Sequence, residues 1–289
     1  NFFAIKLIKF LEMRIKMTIG EALKRERESL GLTQEEMTKN IIQKSHYSKI
    51  ERNIEGISAD SLFKILFAHH IDVDEFLESI KDTYTSKEDV KAGLLEKRMM
   101  NAFNTSNTEA VKKCLAEILE LDENLIFKYR ALIAVATFDG NLDQLSENTR
   151  KNIVKKFNDF NNWVENIDSL RLLANCMSVF TQAQLDNNID YLLNYYRKKD
   201  DHPEIKIERV AIICNNYLYY CYYSDVNGDN IKKCLDYLKN LPKNIHFLFY
   251  HISCNFYTNL FNGNKKEAID IKESLCKWGY ENRVKSWKV

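Results

Sequence analysis

The sequence predicts an all-α protein in which a small five-helix domain precedes a longer row of repeated helical hairpins. Three observations predict this fold class. Only 8 Gly and 2 Pro occur among 289 residues, which is unusually little material for turns and suits long helices. Apolar residues recur at helical spacing along the chain. Short turns rich in Asn, Gly and Asp recur at intervals of about 35 to about 47 residues in the longer part.

The first helix is predicted over residues 19–30. Ile19, Leu23 and Leu30 are expected on its buried face. Gly31 follows as the residue that ends the helix, because glycine adopts the left-handed backbone conformation of that position without strain.

A short second helix is predicted to begin at Gln34. Thr33 is a good N-cap, and Glu36 three residues later completes a capping box. A third helix is expected to begin near Gln43 or Lys44, with Tyr47 and Ile50 on its inner side. Two short helices arranged in this way form a helix-turn-helix, whose second helix lies in the major groove of DNA.

Two further helices complete the small domain. Residues 58–69 predict a fourth helix, and Asp72 is the expected N-cap of a fifth. The apolar residues of the fourth helix are Leu62, Ile65, Leu66 and Phe67, and those expected to be buried in the fifth are Phe76, Leu77 and Ile80.

The outward face of the third helix carries the side chains that DNA contacts require. Lys and Arg bond to phosphates or guanine edges, Ser bonds to either, and a Gln at the start of the second helix reaches a phosphate. We therefore predict contacts with double-stranded DNA by a set of seven residues. They are Gln34, Lys44, Ser45, His46, Ser48, Lys49 and Arg52.

The net charge of the chain does not by itself indicate a nucleic-acid partner. The chain has 42 Lys and Arg against 41 Asp and Glu, a net charge of +1. Acidic residues also outnumber basic ones within 17–80, so an ordinary surface-charged hairpin is the alternative interpretation. If the domain does bind DNA, we expect modest affinity per monomer and a need for a homodimer.

Four segments resemble a known family. Residues 30–36, 48–52, 57–62 and 71–76 are similar to the N-terminal domain of the Rgg/GadR/MutR regulators. The resemblance implies a lambda-repressor-like helix-turn-helix domain joined to a tetratricopeptide-like repeat domain that binds a short signalling peptide. It also implies a cytoplasmic transcription regulator that acts in quorum sensing by a peptide pheromone.

The chain divides into four predicted segments. Residues 1–16, apolar and cationic, are expected to be an N-terminal extension, with a signal peptide or an amphipathic membrane anchor as alternatives. Residues 17–80 are the helix-turn-helix domain, and the polar residues 81–87 are the predicted linker. Residues 88–289 are the predicted ligand-sensing and dimerisation domain.

Recurring turns predict a solenoid of about five two-helix units in this last segment, with an irregular helical bundle as the alternative. Similar helix starts follow several turns, including one at Ile189. The predicted turns are 104–107, 139–141, 186–188, 227–229 and 262–264.

Three asparagines recur forty residues apart, at Asn175, Asn215 and Asn255. If the units stack in register, these carboxamides line one helix layer and can bond to the backbone of an extended peptide. Arg171 is suited to a peptide carboxylate, and Tyr219 to an apolar groove. The alternative is that the asparagines form structural bonds between helices.

Other classes of function lack their motifs. The sequence contains no glycine-rich phosphate loop, no G-x-S-x-G, no H-E-x-x-H and no C-x-x-C, so we expect neither an enzyme nor a metal or cofactor. The seven cysteines are scattered, so we expect them to be reduced thiols. No apolar stretch is long enough to cross a membrane. The alternative functions are a DNA-binding regulator without a peptide ligand and a protein–protein adaptor.

Overall fold

The computed structural model describes residues 17–198 and 202–289 and divides the chain into two compact units. The N-terminal unit ends at Leu94 and the C-terminal unit runs from Leu95 to Val289. The predicted N-terminal extension lies outside the described residues.

The described residues of the N-terminal unit include the five predicted short helices. They are α1 (Ile19–Ser29), α2 (Gln34–Thr38), α3 (Lys44–Glu51), α4 (Ala59–Ala68) and α5 (Val73–Tyr84). The last turn of α5 occupies part of the segment assigned to the linker, and α6 (Lys87–Asn104) continues past Leu94.

Side-chain caps explain where these helices begin. Thr18 and Thr33 each form a complete capping box, which ties the first turn of α1 and of α2 to the preceding residue. Ser58 and Asp72 accept a hydrogen bond from the third residue of α4 and of α5. Gly31 follows α1 with a φ of +67°, the left-handed conformation predicted for it.

The core of this unit confirms most of the predicted inner faces. Leu23, Tyr47, Ile50 and Phe76 are all buried. These side chains come from α1, α3 and α5 and belong to one hydrophobic cluster, in which α1 packs on both α3 and α5.

Two predicted core residues are exposed instead. Leu30 is 46% exposed because it is the C-cap of α1, where the chain already turns away from the inner face. Leu77 is 41% exposed because it lies about 100° around α5 from the buried Phe76. The prediction that both are buried was wrong.

The C-terminal unit continues with ten α-helices among the described residues. They are α7 (Thr108–Leu119), α8 (Leu125–Phe138), α9 (Glu147–Asn158), α10 (Ile167–Asn175), α11 (Gln182–Arg197), α12 (Glu204–Tyr223), α13 (Ile231–Lys239), α14 (Leu248–Phe261), α15 (Lys265–Lys277) and α16 (Glu281–Val284).

Alternate helices of this unit form one continuous layer. Helix α8 packs on α10, α10 on α12, and α12 on α14. Helices α12 and α14 each pack on the helix that follows them, α13 and α15, and α7 packs on α8. Packed pairs of helices thus recur along this layer. This arrangement confirms the predicted tetratricopeptide-like solenoid.

One predicted turn was wrong. Residues 186–188 lie within α11, which begins at Gln182 after a capping box formed by Thr181 and Gln184. Asp186 is buried and accepts hydrogen bonds from the Tyr217 hydroxyl and, at 2.8 Å, from the Gln182 amide. The helix start predicted at Ile189 is therefore also wrong, because the polar residues there serve a buried network.

None of the helices in the described part of the chain is both long and apolar enough to cross a bilayer.

Candidate nucleic-acid and ligand sites

The packing of α3 determines which of its side chains face outward. Tyr47 and Ile50 are 0% and 2% exposed, because they pack between α1 and α2. The opposite face is therefore open to solvent. On it, the exposed residues are Lys44, Ser45, Lys49 and Arg52, and the half-buried residues are His46 and Ser48.

A buried ion pair anchors the C-terminal end of α3. The Arg27 guanidinium on α1 donates from Nε at 2.6 Å and from Nη2 at 3.2 Å to the two carboxylate oxygens of Glu51. Its Nη1 donates to the carbonyl oxygen of Leu32 at 3.0 Å. Bidentate geometry of this kind orients both partners, so α1 sets the direction of α3.

Gln34 joins this ion pair. Its amide nitrogen donates to the Glu51 carboxylate at 2.8 Å, and its side chain is half-buried. The residue expected to reach a phosphate therefore also links the first turn of α2 to the last turn of α3. Sequence reasoning did not find the roles of Arg27 and Glu51, because their pairing spans 24 residues.

The surroundings of Glu51 keep it ionised. Burial alone would raise the pKa of this carboxyl, but hydrogen bonds from Arg27 and Gln34 and the Arg27 charge outweigh burial and hold the pKa below its usual value. A charged Glu51 is thus part of the folded N-terminal unit at neutral pH.

Two lysines of the outward face are paired with carboxylates. Lys44 Nζ lies 3.3 Å from Glu35, and Lys49 Nζ lies 2.6 Å from Glu55. The imidazole of His46 lies 3.5 Å from the same Glu55. Hydrogen bonding from Lys49 lowers the pKa of the Glu55 carboxyl.

Arg52 differs from these lysines. Its Nε donates to the backbone carbonyl of Ser48 at 3.1 Å, and it forms no ion pair with any carboxylate in the described residues. Arg52 therefore presents an unneutralised cation at the end of α3.

A glycine permits the close approach of α1 to the end of α3. A Cβ added at Gly20 would collide with the carbonyl oxygen of Ile50 and would lie 2.7 Å from the Asn53 side chain. Thr18, just before α1, donates to the same Asn53 side chain at 2.6 Å. The contact could not be read from the sequence, because nothing local distinguishes Gly20 from any other helical glycine.

In the C-terminal unit, the predicted ligand residues of α10 lie together on its open face. Arg171 is half-buried and pairs with Asp168 at 3.3 Å, one turn earlier. Asn175 is exposed, and its amide donates to the carbonyl of Arg171 at 2.7 Å. The arginine therefore has one carboxylate partner on its own helix.

Hydrogen bonds between successive helices pass through asparagine side chains. Asn216 donates to the carbonyl of Ala174 at 2.9 Å, and Asn215 accepts a hydrogen bond from the Ser253 hydroxyl. These bonds hold α12 against α10 and α14, so Asn215 has a structural role as well as its predicted one.

Asn255 lies on another face of α14. It is two residues, and therefore about 200°, from the Ser253 side chain that reaches α12. Asn255 lines a cavity of about 340 Å³ between α14 and α15, with Ile271 and Trp278 among the other lining residues. The side chains of Asn215 and Asn255 thus have different surroundings, and their joint contact with a ligand stays a prediction.

Tyr219 lies on a half-buried aromatic stretch of α12. Its ring centroid is 4.4 Å from that of Tyr223, and burial raises the pKa of the Tyr219 hydroxyl. Ten residues earlier on this helix, Arg209 has a buried Nε without a hydrogen-bond partner in the described residues. Nothing in the sequence pattern had indicated a buried arginine at this position.

Comparison with known proteins identifies the N-terminal unit. Residues 23–76 match a helix-turn-helix family. No curated protein sequence matches the chain.

Solved structures resemble the whole chain. A proposed transcriptional regulator from Listeria monocytogenes EGD-e has a TM-score of 0.70 at 18% identity, over 92% of this chain and 93% of that one. The SHP pheromone receptor Rgg2 of Streptococcus dysgalactiae has a TM-score of 0.64 at 16% identity, over 93% and 98%. PrgX in its complex with cCF10 has a TM-score of 0.61 at 16% identity, over 93% and 90%.

These likenesses confirm, at the level of the fold, the resemblance seen in the sequence. The chain consists of a helix-turn-helix domain and a helical-repeat unit, and it shares its fold with Rgg2 and PrgX.

Proposed function

We propose that the protein is a cytoplasmic, homodimeric transcription regulator that binds double-stranded DNA and is controlled by a short peptide held by its C-terminal unit. The observation that carries this proposal is the outward face of α3. Tyr47 and Ile50 anchor the helix, and this leaves Lys44, Lys49 and Arg52 exposed on a helix-turn-helix domain.

The DNA contacts follow from the chemistry of that face. Lys44, Lys49 and Arg52 bond to phosphates or guanine edges, while Ser45 and Ser48 bond to either. His46 and Gln34, the remaining two residues of the predicted set, are half-buried. A single copy offers few cations, so it should bind DNA weakly. Two copies of a homodimer, bound to half-sites one helical turn apart, double the number of contacts.

The fold of the C-terminal unit supports the peptide ligand. The related structures include a pheromone receptor and a bacterial complex of a peptide pheromone with its receptor. We place the peptide contacts on α10 and α12, with Arg171 for a carboxylate, Asn175 and Asn215 for backbone groups, and Tyr219 for an apolar side chain. Asn255 stays outside this set, since it lines the cavity beside α15.

Control by the peptide is a population shift. A ligand that binds one arrangement of the dimer more tightly raises the fraction of that arrangement, and with it the fraction whose two α3 helices match the half-site spacing. Only a few kcal/mol of differential affinity are required.

Two measurements test the proposal. Fluorescence anisotropy with duplex DNA from upstream of its own gene should show binding that weakens steeply with salt. Synthetic peptides encoded by short reading frames beside the gene should raise its melting temperature, because a ligand at a hundred times its Kd adds about 2.7 kcal/mol. DNA binding without any peptide effect would leave a regulator whose repeats only dimerise, and absence of DNA binding would favour an adaptor.

A further inference from the structure

Two carboxylates lie on the same surface as the cations of α3. Glu35, in the first turn of α2, pairs with Lys44 at 3.3 Å. Glu55, which follows α3, pairs with Lys49 at 2.6 Å and lies 3.5 Å from His46. Among the described residues, Arg52 is then the cation of this face that no carboxylate neutralises.

A specific backbone turn delivers Glu55 to this position. Asn53 adopts a left-handed φ of +58°, which reverses the chain after α3. The amide of Ile54 then donates to the carbonyl of Lys49 at 2.9 Å. The turn thereby carries the Glu55 side chain back over the helix, beside Lys49 and His46.

Neither ion pair contributes much to the free energy of unfolding. The side chains of Lys44 and Glu35 are 59% and 78% exposed, and those of Lys49 and Glu55 are 46% and 41% exposed. Water screens pairs this exposed, so that they contribute little to stability. Their effect falls instead on any anion that approaches the same ammonium groups.

We propose that Glu35 and Glu55 are specificity-determining residues, which hold Lys44, Lys49 and His46 in intramolecular pairs until a cognate DNA site replaces them. The inference rests on the proposed DNA-binding function. A phosphate backbone of any sequence must compete with each carboxylate for its lysine. Base-edge contacts of a cognate site add the free energy that separates the pair, so the carboxylates weaken non-cognate binding more than cognate binding.

Glu55→Gln is the informative substitution, because it removes the charge and keeps the shape. On a random-sequence duplex, the released Lys49 adds a phosphate contact, so the slope of log affinity against log salt should steepen by about 0.9. Affinity for that duplex should rise about fivefold, the upper range for losing one exposed ion pair. Affinity for a duplex that the parent protein selects from a random pool should rise by less.

Glu78→Gln is the matched control. Glu78 is 61% exposed and pairs with Lys81 at 3.3 Å on α5, so this variant loses the same charge from an ion pair outside α2 and α3. Its salt slope should equal that of the parent. Thermal unfolding of both variants verifies that they remain folded.

Each outcome has one meaning. If the salt slope is steeper for Glu55→Gln and unchanged for Glu78→Gln, the inference is supported. If the parent binds DNA and Glu55→Gln has the same slope and affinity, the inference is overturned while the proposed function stands. Weaker binding of Glu55→Gln to the selected duplex also overturns it, since the carboxylate would then contact a base. If no variant binds any duplex, the proposed function falls together with the inference.

Discussion

Replacing Glu51 with glutamine should make local opening of α3 more frequent without changing the side chains of its outward, proposed DNA-binding face. The carboxylate accepts hydrogen bonds from Arg27 at 2.6 and 3.2 Å and from Gln34 at 2.8 Å. Glutamine has the same shape, but it removes the buried carboxylate beside Arg27 and leaves the exposed carboxylate of Glu28, 3.5 Å from the Arg27 guanidinium. The two side chains are only 14% and 4% exposed, so water cannot take over the role of the carboxylate.

The magnitude follows from the burial of the pair. Removing one partner of a buried ion pair costs about 3–5 kcal/mol. Arg27 keeps its hydrogen bond to the Leu32 carbonyl and some contact with water, so we expect the lower end, about 3 kcal/mol. Since about 1.4 kcal/mol corresponds to a factor of ten, opening of α3 should become about 100-fold more frequent.

Hydrogen exchange measured by mass spectrometry on the full chain reports this opening locally. Amides of α3 should exchange about 100-fold faster in Glu51→Gln, while amides of α12 should not change. The double variant Arg27→Met/Glu51→Leu should recover much of the protection, because it leaves no buried charge unpaired. Unchanged exchange in Glu51→Gln would refute the role given to this ion pair.

The same ion pair makes the N-terminal unit sensitive to acid. The folded-state pKa of Glu51 is held below its usual value, so its contribution to stability is complete above the unfolded-state pKa of about 4.3. This contribution is lost as pH falls through the folded-state pKa. In Glu51→Gln, this part of the acid dependence should be absent.

Two further predictions concern packing. Gly20→Ala should destabilise the N-terminal unit by about 1–3 kcal/mol, because the added methyl group meets the Ile50 carbonyl; exchange of α1 amides at the parent rate would contradict this. Thiol titration of the native protein should detect one fast cysteine, the exposed Cys276, since the other six are buried and burial raises the pKa of Cys176 to about 12 and of Cys221 to about 11. Fast labelling that persists in Cys276→Ser would be inconsistent with that burial.

Local signals predicted the N-terminal unit well. The capping box of Thr33 and Glu36, the glycine after α1 and the spacing of Tyr47 and Ile50 all depend on residues within one or two helical turns of each other. Such contacts are visible in the sequence because the helix period places them on one face. The exposed Leu30 was missed because an apolar side chain does not reveal where its helix ends.

The features that the sequence did not predict depend on contacts between residues far apart in the chain. Asp186 appeared to mark a turn, yet its carboxylate satisfies the buried Tyr217 hydroxyl from within α11. Asn255 shares the forty-residue spacing of Asn215, but the hydrogen bond to Asn215 comes from Ser253, and Asn255 lines the cavity beside α15. A spacing in the sequence constrains which helix a residue lies on more strongly than which neighbour it faces.

Binding of a duplex that the parent protein selects from a random pool, measured for Lys44→Ala/Lys49→Ala, tests the central claim that the outward face of α3 is a DNA-binding surface. Fluorescence anisotropy should show weaker binding and a salt slope reduced by about 0.9 for each phosphate contact removed. The control Lys64→Ala/Lys81→Ala removes two exposed, carboxylate-paired lysines of α4 and α5 and should bind like the parent. A Lys44→Ala/Lys49→Ala variant that binds DNA as tightly as the parent, with the same salt slope, would contradict the account.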